Sequence, residues 1–220
     1  MLCDKLTQGA VIKVYIVGRQ PIYNKQQVLH TVVDCLWRQG YAATPISELV
    51  ERTGLKAPSL YALFGSKKGM MLASLEAYAS DALHELDSLL NEHQAGIEQI
   101  QALLHHMLEA SLHDAAGKGC FLVNSALECH GENPEFAPCI NSTMQALRQR
   151  LQKALEQAPD RKPDLSPAEG ALFLQAQIWA LKLLARMGPS REQGEVIIKQ
   201  ALRALFSPQA CAAQEQSKET

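Results

Sequence analysis

Between residues 44 and 67 the chain sets out hydroxyl, ammonium and small side chains in an order suited to gripping a polyanion. They are Thr44, Lys56, Ala57, Pro58, Ser59, Tyr61 and Lys67. Ammonium groups neutralise phosphate oxygens, hydroxyls donate hydrogen bonds to them, and small side chains let a helix approach base edges in a groove. Lys56, Ala57, Pro58 and Ser59 are the candidates for base-edge or groove contact, and Thr44, Tyr61 and Lys67 those for phosphate contact. Lys56 is the best single candidate for reading a guanine, with less discrimination than an arginine fork would give. Lys67 and Lys68 follow Ser66, an expected N-cap, at a place where the helix macrodipole favours acids. A phosphate docked there would meet backbone N–H groups, the dipole and an ammonium together; a solvated lysine pair is the alternative.

Such residues need a helix-turn-helix to hold them. Thr44 reads as an N-cap with Pro45 at the first helical position, and Ile46, Leu49 and Val50 recur at i, i+3, i+4. Gly54 supplies the turn, where a residue without Cβ reaches positive φ without steric cost. Pro58 is tolerated only in the first turn of the next helix. Beyond it, Leu60 and Phe64 face inward, leaving Lys56, Ser59, Tyr61 and Ala62 outward.

From Gly18-Arg19 through Met70 the chain resembles the DNA-binding domain of TetR-family transcriptional regulators. Gly40-Tyr41 closes the first helix and Thr44 opens the second, while Ser-Leu-Tyr at 59–61, Phe64 and Ser66-Lys67 are the closest matches. Leu63 departs from the pattern, standing where many relatives carry a histidine on the phosphate-facing side. Lys68-Gly69 lacks an acid often seen there. Residues 119–128, Gly-Cys-Phe-Leu-Val-Asn-Ser-Ala-Leu-Glu, resemble the start of the sixth helix in a large subgroup, which extends the likeness over most of the chain.

The resemblance implies an all-α fold. An N-terminal three-helix helix-turn-helix DNA-binding domain would be joined to a C-terminal helical ligand-binding and dimerisation domain. It also implies a bacterial, cytoplasmic homodimer, paired through residues 167–206, acting as a repressor on a double-stranded, pseudopalindromic operator and released by a small molecule. An activator, or a nucleoid-type DNA-binding protein, without small-molecule control is the alternative. Residues expected to line the ligand site are Tyr78, Leu104, Met107, Phe121, Asn124, Met144, Phe173 and Gln177, which mix apolar walls with a few polar groups and favour an apolar or aromatic effector.

Composition agrees with a globular DNA binder. The chain has 220 residues, 47% hydrophobic and 20% charged, with a net charge of -2 that conceals an asymmetry. Residues 1–70 hold nine Lys/Arg against four Asp/Glu, and residues 71–220 hold twelve against nineteen, so the basic part coincides with the expected reader. No run of about 18 apolar residues predicts a membrane span. The apolar stretch at 10–17 is short and interrupted by Lys13, unlike a signal peptide.

The periodicity predicts about nine helices and no strand. After the reader come helices at 66 to about 91, 97 to about 113, roughly 120–130, 134 to about 157, 167–187 and 191–206. The expected organisation is an extension at 1–17, the DNA-binding domain at 18–70, the ligand-binding and dimerisation domain at 71–207, and a disordered tail at 208–220. The helix at 167–187 is apolar nearly all round, more than one neighbour covers.

Six cysteines raise metal and redox chemistry, but no CxxC occurs, and Cys120, Cys129 and Cys139 lie nine and ten residues apart without matching histidines. No metal or cofactor is expected. Cys35 reads as core. Cys120, at the start of a helix, is a candidate thiol sensor of oxidants or electrophiles, weighed against plain structural burial. No glycine-rich nucleotide loop, GxSxG, HExxH or catalytic carboxylate pair is present, so no catalytic residue is assigned.

Overall fold

The computed structural model describes residues 23–129, 131–188 and 190–217. Among these residues ten α-helices and one 3-10 turn follow in order: α1 (Lys25–Gln39), α2 (Ile46–Thr53), α3 (Ala57–Phe64), α4 (Lys67–Glu92), α5 (Ile97–Leu112), α6 (Phe121–Cys129), a 3-10 turn (Pro134–Phe136) running into α7 (Ala137–Gln157), α8 (Pro167–Met187), α9 (Arg191–Leu205) and α10 (Pro208–Ser217). Among the described residues the only β pairing is an isolated bridge between Arg161 and Phe206. The all-α expectation therefore holds, with one helix more than predicted. Residues 208–217, expected as a disordered tail, form α10 against α5 and α9, where Cys211 and Ala210 pack on the core. The expected extension at 1–17 lies outside the described residues.

Local chemistry explains several boundaries. Ser166 caps α8 in a reciprocal capping box with Glu169, with Pro167 in the first turn. Ser66 caps α4 by accepting the Gly69 N–H at 3.0 Å. Gly69 is required there for space: an added Cβ would lie 1.9 Å from the Phe64 carbonyl oxygen.

Two apolar cores organise the chain. One joins Val32, Leu36, Leu49, Leu60, Met70, Met71 and Leu75 to Phe121, Leu122, Phe136 and Ile140. The other unites α5, α7, α8 and α9 around Ile100, Leu104, Leu155, Leu174 and Leu205. The first core also recruits α6 and the start of α7. Helix α4 belongs to both, through Met70, Met71 and Leu75 near one end and Leu86 towards the other. With 26 residues it spans about 39 Å at 1.5 Å per residue.

Candidate nucleic-acid interface and adjoining cavity

Helix α2 ends at Gly54, whose φ of 69° lets its N–H reach back to the Val50 carbonyl at 3.0 Å. Two residues later the extended Lys56 begins α3, with Pro58 in its first turn. Leu60 anchors α3 in the core, while Lys56, Pro58, Tyr61 and Ala62 are exposed and Ala57 and Ser59 half-buried. The predicted base-reading set and Tyr61 therefore lie together at the start and first half of α3.

Thr44 does not join them. It is fully buried and its hydroxyl donates to the Gly40 carbonyl at 2.6 Å, while Pro45, not Thr44, occupies the N-cap of α2 and makes no side-chain cap. The threonine closes the α1–α2 turn because its methyl and hydroxyl both find partners inside. Lys67 rests with its Nζ 4.7 Å above the Tyr41 ring and 3.5 Å from the Ala42 carbonyl oxygen. Lys68, considered with it as an anion contact, is turned away to Glu135 in the 3-10 turn.

Among the described residues, that ion pair is one of three polar ties between the reader and the helices behind it. The Glu128 carboxylate on α6 accepts hydrogen bonds from the backbone N–H groups of Tyr41, at 2.9 Å, and Ala42, at 2.7 Å. Lys118, in the loop before α6, contacts Asp34 at 3.3 Å and lies 4.2 Å above the Trp37 ring. Asp34 also pairs with Arg38 at 2.8 Å and with Arg52 at 3.5 Å. Burial alone would raise the Asp34 carboxyl, but the hydrogen bonds and charges of Arg38 and Lys118 outweigh it and hold it below the usual carboxylate value. Sequence reasoning missed Asp34, Lys118 and Glu128, whose partners lie 84 to 87 residues away in the case of the last two.

Behind these ties lies a small cavity of about 70 Å³ walled by α4, α5, α7 and α8. Of the candidate ligand residues, Tyr78, Met107 and Met144 line it, together with Leu103, Cys120, Gln175, Ile178, Trp179 and Lys182. It shares Tyr78, Ala82, Glu85 and Lys182 with a larger open cleft of about 600 Å³ that reaches Asp34 and Trp37. The other expected ligand residues sit elsewhere. Leu104 is sealed in the core beside the lining Leu103. Phe121 meets Tyr78 edge-on with ring centroids 5.7 Å apart, and Asn124 Nδ2 donates to the Lys118 carbonyl at 2.7 Å. On α8 the predicted phase was wrong: residues 175, 178, 179 and 182 face the cavity, so Gln177 is turned off it and Phe173 is exposed on the outer side.

Trp37 of α1 meets Tyr78 edge-on at 4.9 Å, which brings the reader's first helix into contact with a cavity wall. The Tyr78 hydroxyl is directed to Cys120 Sγ at 3.8 Å, and burial, first among several causes, pushes that phenol well above its ordinary value. Of the other thiols, burial raises Cys35 and Cys139, and burial with the charge of neighbouring glutamates takes Cys129 to about 11. Among the described residues no group of three or more His, Cys, Asp or Glu side chains is placed to hold a metal. No described helix is long and apolar enough to cross a membrane.

Residues 28–74 match the description "Bacterial regulatory proteins, tetR family", and residues 96–201 match "Tetracyclin repressor-like, C-terminal domain". The chain belongs to the TetR family of transcriptional regulators. Among curated proteins it is similar to the HTH-type transcriptional repressor ComR of Escherichia coli, 28% identical over 188 residues, which is 80% of this chain and 86% of ComR. Among solved structures it is similar to the regulator CifR, a cysteine mutant complexed with 26-base-pair operator DNA, at 24% identity and a TM-score of 0.74 over 86% of this chain and 100% of CifR. The fold of the reduced form of E. coli NemR is equally close, with 20% identity and a TM-score of 0.75 over 84% of this chain and 97% of NemR.

Proposed function

We propose that this chain is a homodimeric repressor that is released from a pseudopalindromic DNA operator when a small apolar or aromatic effector enters the cavity behind α4. Lys56, Ala57, Pro58 and Ser59 approach base edges, and Tyr61 and Lys67 approach phosphates, with Lys67 leaving its resting place over Tyr41. Two copies of α3 enter successive major grooves about 34 Å apart, so affinity depends on the separation of the two readers. The observation that carries this reading is the double membership of α4: the helix that lines the cavity through Tyr78 is anchored in the reader's core through Met70, Met71 and Leu75. An effector that prefers another reader separation by about 1–3 kcal/mol lowers operator affinity roughly 5- to 150-fold, and DNA weakens the effector equally. The repressor character of ComR and the operator complex of CifR are consistent with this reading.

The test begins with selection of bound sequences from random duplexes, followed by titration of the winner. An inverted repeat whose binding is lost with Tyr61→Ala or Lys56→Ala supports the reader, and failure to enrich any site from refolded, ligand-stripped protein overturns it.

A second reading is favoured by one observation, the half-buried Cys120 on the cavity wall within reach of the Tyr78 hydroxyl. Here an activated alkene adds to Cys120: the carbon–sulfur bond forms as the alkene π bond breaks, the thiol proton ends on the neighbouring carbon, and the adduct displaces Tyr78 against Trp37. N-ethylmaleimide releasing the wild type but not Cys120→Ser from operator supports this route; equal release of both proteins excludes it.

A further inference from the structure

The cavity wall contains a buried polar atom with an unmet demand. Gln175 on α8 is 2% exposed, and its Nε2 donates to the Met144 carbonyl on α7 at 2.8 Å. That bond fixes the orientation of the amide, since a backbone carbonyl only accepts and the reversed amide would set oxygen against oxygen. The Oε1 is therefore the outlying atom, buried and without a donor among the described protein groups. A buried acceptor left in this state carries an uncompensated desolvation cost, which a ligand able to donate relieves.

The surrounding wall restricts what that ligand is. Leu103, Met107, Met144, Leu151 and Ile178 make most of it apolar. Among its other polar groups, the Tyr78 hydroxyl donates to Cys120 and Glu85 meets His106 Nε2 at 2.8 Å, while Trp179 and Lys182 bring N–H donors and no further acceptor. Resting on the effector reading above, we infer that the cavity takes a small apolar or aromatic molecule bearing one hydrogen-bond donor, a hydroxyl or N–H, and that Gln175 Oε1 reads that donor. Hydrocarbons are discriminated against because they leave Oε1 unpaired, and a molecule with an acceptor alone, though Trp179 or Lys182 could serve it, forgoes the bond to Oε1. The geometry makes Gln175 a specificity residue for ligand class and gives it no role at the DNA.

Two isomers with the same heavy atoms separate the possibilities, para-cresol with a hydroxyl donor and anisole with an ether acceptor. Their affinities are measured by calorimetry on the full-length wild type and on Gln175→Leu, which preserves bulk while removing the amide. The wild type is expected to bind para-cresol about tenfold more tightly, the scale of one net hydrogen bond, and Gln175→Leu to lose that preference. The wild-type comparison stands even if the variant does not fold. Equal affinity for both isomers, tighter anisole binding, or a preference that survives Gln175→Leu overturns the inference. Binding of neither isomer overturns it together with the cavity as a small-molecule site. Donor-selective binding that leaves operator affinity unchanged keeps the assignment of Gln175 and sinks the effector reading instead.

Discussion

Single residues in this protein are constrained by what an added or removed atom would meet. At Gly69 an alanine methyl has nowhere to go, because the Phe64 carbonyl oxygen stands 1.9 Å from its position and belongs to the backbone. Gly69→Ala is expected to cost about 1–3 kcal/mol, the range of overpacked sites. A urea midpoint equal to the wild type's would refute the clash. The thiols divide by the same kind of argument. With Cys129 at about 11 and the Cys35 thiol raised by burial, both are protonated at neutral pH as well as shielded. Iodoacetamide at pH 7.5 should leave both unmodified in the folded protein while urea exposes them, as peptide mass mapping would reveal. Residue roles were legible in the sequence where the demand is local. Gly54 as the turn, Leu60 as an anchor and Cys35 as core follow from neighbours in the chain. Thr44 misled because the same residue type caps a helix and closes a buried turn, and only burial separates the two uses.

Between elements, a shared apolar core holds the reader against the helices behind it, and a few polar ties are added to that core. The Glu128 carboxylate satisfies two backbone N–H groups at the α1–α2 turn, so Glu128→Ala strands both. Because that turn is only partly buried, the expected loss is about 1 kcal/mol, with faster amide exchange at Tyr41 and Ala42; unchanged exchange at both would show that the tie does not hold the turn. The Asp34 cluster adds a pH dependence whose sign is fixed. Its folded value lies below the unfolded one, so its contribution is full above the ordinary carboxylate value of about 3.9 and is lost as pH falls through the folded value. Asp34→Asn should therefore flatten the acid limb of stability against pH, and superimposable limbs would argue against the assignment. Helix positions were readable in sequence to within a residue or so because caps, glycines and prolines act locally. The α8 face was not. Its apolar residues run nearly all round, so periodicity leaves open which stripe meets the cavity, and neighbouring positions differ by about 100°. Glu128 and Lys118 carried no signal at all, since a charged residue looks the same whether it faces water or a partner 84 or more residues away.

At the scale of the whole molecule, the cores account for Leu174, Leu181 and Leu184 on α8 but leave Leu172, Phe173, Leu183 and Met187 exposed on the same helix, with Val196 exposed on α9. Leu172 and Leu183 lie eleven residues apart, three turns along one side. A second copy covering that stripe would remove several large apolar side chains from water, each contributing about 1.5–3 kcal/mol when fully buried. Pairing also serves the reader. Residues 1–70 carry a net charge of only +5 by formal count, a modest attraction for one copy at physiological salt, and two readers on one operator multiply the phosphate contacts and hence the salt dependence. Leu172→Glu with Leu183→Glu places charge on the stripe without touching either core. The double variant should keep its helical circular dichroism, sediment as a monomer where the wild type is expected to sediment as a dimer, and lose operator affinity together with most of the slope of affinity against salt. A variant that remains dimeric and binds operator normally would move the interface off α8 and remove the link between subunit geometry and release.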